Sequence, residues 1–328
     1  LLPGHWIRSK PHPDLKSQSA KHHPDNRMSD RYPIEELVKL ESRLAQCKIE
    51  RGDKVGLDFS KPECSLWLNK ALLQLHYGIN NWQIPQGYLV PPVPGRLDYI
   101  LYTKDVITES GKFKLPGNTK LFGLDIGTGA SLIFPILAVG EMKAYMTATD
   151  VDENALDSCR RIIDNNPGLS GHIKPVLQKN PSSFFAGVIG KRDHFDFCIT
   201  NPPFFKSLNE AEKAGQRREN ALARKKGKTA DRLPAGKVHE LVYPGGEKRF
   251  IASMIRQSKA FGSSVLWFSS LVSSRDHLHF IGNALKNAGV SSSKLIENKH
   301  GNKSVHYLYW TFLNEAKRAD WVAKYWNV

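Results

Sequence analysis

The stretch KLFGLDIGTGASLIFPILAV, residues 120–139, decides the fold. Residues 120–125 form a short apolar run of strand character, residues 132–139 a second apolar run of helical character, and Gly127 and Gly129 stand between them. A strand that turns through glycines straight into a helix opens a doubly wound α/β domain. Without a Cβ the backbone can turn tightly and approach a ligand at the carboxyl end of the strand, where such sheets bind. The spacing is not that of the dinucleotide GxGxxG, and a lone GxG also fits an ordinary tight turn.

Working outward, apolar strands are expected at residues 144–149, 172–177, 196–200, 264–269, 294–297 and 307–313, with helical stretches between them. That alternation predicts an α/β fold, a mostly parallel sheet with helices on both faces. Upstream, apolar residues recur at helical spacing over 33–44 and 64–77, which gives a small helical module. The segment WQIPQGYLVPPVPGRLDYI, residues 82–100, carries Pro85, Pro91, Pro92 and Pro94 and is expected to be a stiff extended connector, running into a helix from about Asp98. The expected organisation is a flexible basic arm over 1–31, the helical module and connector over 32–116, and the α/β domain over 117–328. A polar, strongly basic loop interrupts that domain at 206–240.

Lys and Arg number 47 against 32 Asp and Glu, a formal charge of +15. That excess favours a polyanionic partner, nucleic acid first. No apolar run reaches the ~20 residues of a membrane span, so no membrane partner is expected, and the cytoplasm is the expected compartment. The four cysteines, Cys47, Cys64, Cys159 and Cys198, form no CxxC pair, and buried reduced thiols are expected. The twelve histidines form no ligand-like grouping, so no metal site is expected.

Two carboxylates stand at the ends of the first two sheet strands. Asp125 is placed to hold the amino group of a methyl donor's methionine part, and Asp150 to accept two ribose hydroxyls, with Asp152 capping the next helix. The most informative motif is Asn201-Pro202-Pro203-Phe204, after the strand FDFCIT. An Asn oxygen can accept one N6 hydrogen of an extruded adenine while the Pro202 carbonyl accepts the other. The prolines stiffen the turn, and Phe204 offers a stacking face. A sulfonium donor needs no strong base, so such a site works by proximity and orientation.

The combination, together with LNKALLQLHYGINNWQIPQGYLVPPVPGRLDYI, NPPFF, YPGGEKRFI and LWFSSLVSS, closely resembles the bacterial 23S rRNA adenine-N6 methyltransferases of the RlmF type from about Asn26 to Trp321. The human methyltransferase-like enzyme that modifies U6 snRNA and an mRNA hairpin is related to them. The resemblance implies a seven-stranded Rossmann-like sheet, S-adenosyl-L-methionine as cofactor, RNA as partner and a monomer. It implies that Arg96 reaches the donor carboxylate, that Gly127, Gly129, Ser131 and Asn201 line the donor pocket, that Asn180 lies near the donor adenine, and that Asn201 to Phe204 hold the target base. Gly245-Gly246-Glu247 matches the family as well, and a structural turn is an equal role for it. The chain departs from the family at HGNKSVHY, residues 300–307, where Val305 takes the place of a basic residue. Asn-Pro-Pro-aromatic turns also serve glutamine, cytosine-N4 and guanine-N2 methyltransferases, and a non-catalytic RNA-binding scaffold is a reading of another class. Other structured RNAs remain alternative substrates.

Overall fold

The computed structural model describes residues 22–28, 32–52, 54–109, 111–214, 238–300 and 303–326. The N-terminal part comprises α1 (Ile34–Leu40), a 3-10 turn at Ser42–Cys47, the hairpin of β1 (Lys48–Arg51) and β2 (Lys54–Leu57), and α2 (Pro62–Tyr77). Helix α2 starts on a proline and stops at Gly78, whose φ of 66° suits a residue without a Cβ. The next helix, α3 (Val93–Ile107), begins about five residues before the position expected from the sequence. Pro94 lies in its first turn, where a missing N–H costs nothing because that donor has no intrahelical acceptor. The extended connector therefore ends at Pro92, and Arg96 sits on a helix rather than on a loop.

The sheet strands are β3 (Phe122–Ile126), β4 (Tyr145–Asp150), β5 (Ile173–Leu177), β6 (Phe195–Thr200), β7 (Val265–Val272), β8 (Ser292–His300) and β9 (Lys303–Thr311), one for each expected strand. Helices α4 (Ile133–Met142), α5 (Glu153–Asp164), α6 (Gly246–Ser258), α7 (Leu278–Ala288) and α8 (Glu315–Tyr325) flank them. The strand order is β5-β4-β3-β6-β7-β9-β8, with β9 antiparallel to both neighbours. The order reverses between β3 and β6, which are paired in parallel with Ile126 opposite Thr200. A crevice opens at the carboxyl ends of two such strands.

Period-two alternation sorts the side chains of β9 between two cores. Tyr307 and Tyr309 join the cluster made with α3, α4 and the N-terminal helices, while Leu308 and Trp310 join the one made with α6 and α7. Leu37, Leu44 and Leu68 belong to the first cluster, so the N-terminal helices and the sheet share one continuous apolar interior.

Two buried carboxylates fasten distant segments onto this frame. Asp98 of α3 takes hydrogen bonds from the His23 backbone N–H (2.8 Å), Asn26 Nδ2 (2.6 Å) and Asn298 Nδ2 of β8 (3.1 Å), with His22 Nδ1 at 2.8 Å. Residues 22–28, the described part of the basic arm, are thereby held on α3; residues 1–21 and 29–31 lie outside the described residues. Asp196 of β6 accepts from the Phe122 N–H (2.8 Å) and the indole N–H groups of Trp321 (2.8 Å) and Trp326 (2.9 Å), which ties α8 to the sheet.

The expectation of four reduced thiols is corrected for one pair. Cys47 and Cys64 are joined by a disulfide with their Cα atoms 5.8 Å apart, while Cys159 and Cys198 are free and buried. The 3-10 turn and the start of α2 bring the pair together through tertiary packing, which a search for CxxC spacing does not detect. Among the described residues no helix is long and apolar enough to cross a membrane, and no group of His, Cys, Asp and Glu could hold a metal ion.

Asp196→Ala leaves three donors without their acceptor in a closed interior, which costs about 3 kcal/mol. Chemical denaturation should show that loss, and Asp196→Asn, which keeps one acceptor oxygen, should lose less.

Candidate active site

The glycine turn after β3 and the Asn-Pro-Pro-Phe turn after β6 meet because their strands are neighbours. The Thr200 hydroxyl donates to the Ile126 carbonyl at 2.7 Å, joining the two strand ends just before both turns. Beneath them the Tyr99 hydroxyl of α3 donates to Ser269 Oγ (2.7 Å), and that hydroxyl donates to the Cys198 carbonyl (2.8 Å), so α3, β7 and β6 are fixed to one another one layer below Asn201. At the glycine turn, Gly127 and Gly129 have φ of 73° and 63°, values that a residue with a Cβ adopts only under strain.

A cavity of about 530 Å³ opens at this edge, within the size range of small-molecule sites. Arg96, Gly127, Gly129, Ser131, Asp150, Asn201, Pro203 and Phe204 line it. Asp125 lies behind the wall, fully buried, and Pro202 is buried beneath its neighbour. Asn180 is exposed; its side chain accepts from the Ser182 N–H (3.0 Å) within its own loop. The wall at that end is made instead by Gln178 and by Pro181 to Phe184. Gln178 is braced by bonds to the Asn180 N–H (3.0 Å) and the Ala186 carbonyl (3.1 Å).

The polar groups around the cavity fall into two kinds. Asp150 is engaged by backbone: its oxygens accept from the N–H groups of Gly129 (2.8 Å) and Asp152 (3.0 Å), which holds the glycine turn against β4. Asp152 caps α5 through the Asn154 N–H at 3.0 Å, as expected, and also bonds the Tyr88 hydroxyl. Asp125 differs, since neither carboxylate oxygen has a hydrogen-bond partner. Burial pushes its pKa up to about 7, opposed by the nearby Thr128 hydroxyl, which lies outside hydrogen-bonding geometry, and reinforced by the charge of Asp150. Asn201 likewise keeps its side-chain oxygen buried without a partner. The Arg96 backbone N–H donates to the Pro92 carbonyl (3.3 Å), while its side chain forms no hydrogen bond or ion pair with the described residues; the guanidinium lies 5.8 Å from the Phe134 ring centre, and burial lowers its pKa.

Some residues of the wall carry no motif. Glu240, at the end of the basic loop, accepts from the Leu89 N–H (3.2 Å) and faces Gly129, while Tyr243 and Phe250 close the side beside Phe204. Tyr243 and Phe250 belong to YPGGEKRFI, so the stretch was visible, but its contact with the cavity depends on a pairing between Phe205 and Val242 that no local pattern reveals. Residues 215–237 of the basic loop lie outside the described residues.

A family model described as RNA methyltransferase matches residues 16–314. The chain belongs to this family. A Ribosomal RNA large subunit methyltransferase F from Flavobacterium johnsoniae is 38% identical over 308 residues, covering 93% of this chain and 98% of the relative. One from Shewanella sp. (strain MR-4) is 41% identical over 275 residues, 82% of this chain and 75% of that one. Among solved structures of the family fold, the human METTL16 catalytic domain in complex with MAT2A 3′UTR hairpin 6 superposes with a TM-score of 0.73 at 26% identity, covering 90% of this chain and 98% of that chain. The N-terminal domain of human METTL16 in complex with SAH gives 0.69 at 26% identity, covering 89% and 99%. This RNA methyltransferase therefore has the fold expected from residues 120–139, with both motif turns on one cavity.

Because the folded pKa of Asp125 is raised, its carboxyl keeps a proton in the ligand-free enzyme to pH values where an exposed Asp is ionised. A carboxyl NMR titration should show one Asp with a midpoint near 7, absent from Asp125→Asn. A midpoint in the ordinary carboxylate range would show that water enters and solvates the group.

Proposed function

We propose that this enzyme uses S-adenosyl-L-methionine to methylate N6 of an adenine in 23S, large-subunit, ribosomal RNA, acting as a monomer in the cytoplasm. The observation that carries the reading is the buried, unpartnered side-chain oxygen of Asn201 on the wall that also holds Arg96 and Asp150. The residues present fit the donor. The unpaired Arg96 guanidinium matches its carboxylate, the unpartnered oxygens of Asp125 match its ammonium, and Asp150 and Gln178, both on the wall, suit its ribose hydroxyls and its base. When bound, S-adenosyl-L-methionine supplies an electrophilic methyl group on a sulfonium.

The chain's own residues do the rest. Asn201 and the Pro202 carbonyl accept the two N6 hydrogens of an adenine taken out of the RNA stack, which aims the nitrogen lone pair at the donor. Phe204 stacks on the base, a contact worth about 1–3 kcal/mol. Catalysis is chiefly the positioning of two reactants. The proton leaves the amine after transfer, so no strong base is required near Asn201. Lys and Arg contacts to phosphates supply salt-sensitive affinity, consistent with the formal charge of +15.

The ribosomal substrate rests on the relatives named for it, 38% and 41% identical. The hairpin complex of METTL16, with its TM-score of 0.73, favours a second reading in which the substrate is another structured RNA, such as an mRNA hairpin or U6 snRNA.

Methyl transfer from labelled donor to unmodified large-subunit rRNA, followed by nucleoside analysis, should yield N6-methyladenosine. Asn201→Ala should lower kcat by about a hundredfold or more, the cost of losing a group that orients the reacting atom, while donor affinity stays near the wild-type value. Label in a different nucleoside, or in none, would overturn the adenine assignment. Arg96→Ala should weaken donor binding by about 2–3 kcal/mol, and Arg96→Lys should recover part of it, because an ammonium keeps the charge but not the fork. Calorimetric titration of the donor measures both.

A further inference from the structure

Glu247 is a charged residue of the site region that the transfer chemistry does not use. It stands in the first turn of α6, directly after Tyr243-Pro-Gly-Gly, and its side chain is fully buried. An acid near a helix N-terminus is favoured by the helix dipole, but an exposed one would serve that purpose. Burying a carboxylate is costly unless its oxygens are bonded. Those of Glu247 are: they accept from the Ser273 N–H (2.9 Å) and the Ser273 hydroxyl (2.9 Å), with His277 Nδ1 at 2.5 Å. Ser273 is the first residue after β7, and His277 ends the 3-10 turn Arg275–His277 ahead of α7.

What this clamp holds is the turn that follows β6. The Phe205 N–H donates to the Leu241 carbonyl (2.9 Å), the Tyr243 N–H to the Phe205 carbonyl (3.0 Å), and the Gly246 N–H to the Tyr243 carbonyl (2.7 Å). Gly246 also presses on the turn, since a Cβ there would lie 3.0 Å from Lys206 Cγ and 3.7 Å from the Phe204 carbonyl oxygen. The Asn201–Phe204 turn is thus fastened upstream by β6 and downstream by residues 241–246, which lead into α6. Glu247 binds the start of α6 to the end of β7, and β7 pairs with β6. These links close a ring around the target-base turn.

We infer that Glu247 is a positioning residue for methyl transfer: by fixing the start of α6 to the end of β7, it sets the placement of Asn201 to Phe204 relative to the donor cavity without touching either reactant. The inference rests on the reading of that turn as the target-base site.

Two variants test it in the full-length enzyme, Glu247→Ala and Glu247→Gln. The Gln amide can accept from the Ser273 N–H through its oxygen and donate through its nitrogen to the Ser273 hydroxyl, so it rebuilds most of the clamp. In Glu247→Ala, kcat should fall by at least about tenfold while the donor KM stays within about twofold, the pattern of lost orientation rather than lost binding. Glu247→Gln should restore kcat to within about threefold of wild type. Hydrogen exchange, which needs no substrate, should quicken at the Phe205 and Tyr243 amides by about tenfold or more in Glu247→Ala and remain unchanged at Gly127 and Thr128. Should Glu247→Ala fail to fold, His277→Ala, which removes one partner from a partly exposed side chain, carries the same kcat against KM comparison. The clamp is overturned if the folded Ala variant keeps its kcat, if donor KM rises in step with the loss, or if Gln is as damaging as Ala. A wild-type enzyme that labels no RNA, with the hydrogen-exchange result as expected, overturns the functional reading and leaves the clamp standing.

Discussion

The hydrogen bond from the Thr200 hydroxyl to the Ile126 carbonyl, at 2.7 Å, joins β3 to β6 where the strand order of the sheet reverses. Everything that brings the glycine turn and the Asn-Pro-Pro-Phe turn together depends on that pairing. The two turns are more than 70 residues apart in sequence. A reversal sends the crossover connections to opposite sides of the sheet, so the strand ends between them stay uncovered and a ligand can enter. The helices then supply the walls: α3 brings Arg96, α4 brings Phe134 and α6 brings Phe250.

Most of this architecture could be read from the chain because its central strands are buried on both faces. β6 is buried at every position and so is β7, and such strands read as short, largely apolar runs without the polar alternation of a half-exposed strand, here FDFCIT and VLWFSSLV. The glycine turn and the Asn-Pro-Pro turn were visible for a related reason, since each needs residue types that few other conformations favour. The start of α3 was not, because proline is both a helix breaker and a good first-turn residue, and which applies depends on where the chain turns. Arg96 was legible through resemblance alone; its lack of a partner is a tertiary fact. The Cys47–Cys64 bond, the docking of residues 22–28 on Asp98 and the bridge between Phe205 and Val242 are likewise products of packing between segments distant in sequence. Asn180 shows a different limit, in that it lies next to the cavity wall along the chain while its side chain turns to its own loop.

The electrostatics of the cavity are ordered rather than uniformly acidic or basic. A zwitterionic ligand with an added cationic centre needs one positive contact and several negative ones. The wall offers that balance, with Arg96, Asp150 and Glu240 lining it and Asp125 buried behind the glycine turn. Burial raises the pKa of Asp125 to about 7. A carboxyl that can hold its proton need not draw water into the interior, and an arriving ammonium restores the charge it was denied by burial.

Buried polar groups in this protein separate into those whose hydrogen bonds are met within the fold and those left without a partner. Asp98, Asp196 and Glu247 each take three or more donors, and each joins segments that nothing local would join. Asp125, Asn201 and Arg96 have no such complement, and all three lie at or just behind one cavity. Lack of a partner is not sufficient by itself, since Trp267 Nε1 and both ring nitrogens of His306 are also buried without one and do not line the cavity. The indole of Trp267 instead carries Lys294 and Arg318 over its ring, at 5.1 and 5.5 Å, so its burial is offset through its π face. What distinguishes the site is that an unmet acceptor and an unpaired guanidinium line one cavity, with an unmet carboxylate buried at the glycine turn beside them. An unmet polar group in a closed interior costs about 1–3 kcal/mol, a cost that falls on Asp125 and Asn201, whose oxygens are fully buried, more than on Arg96, which lines the open cavity.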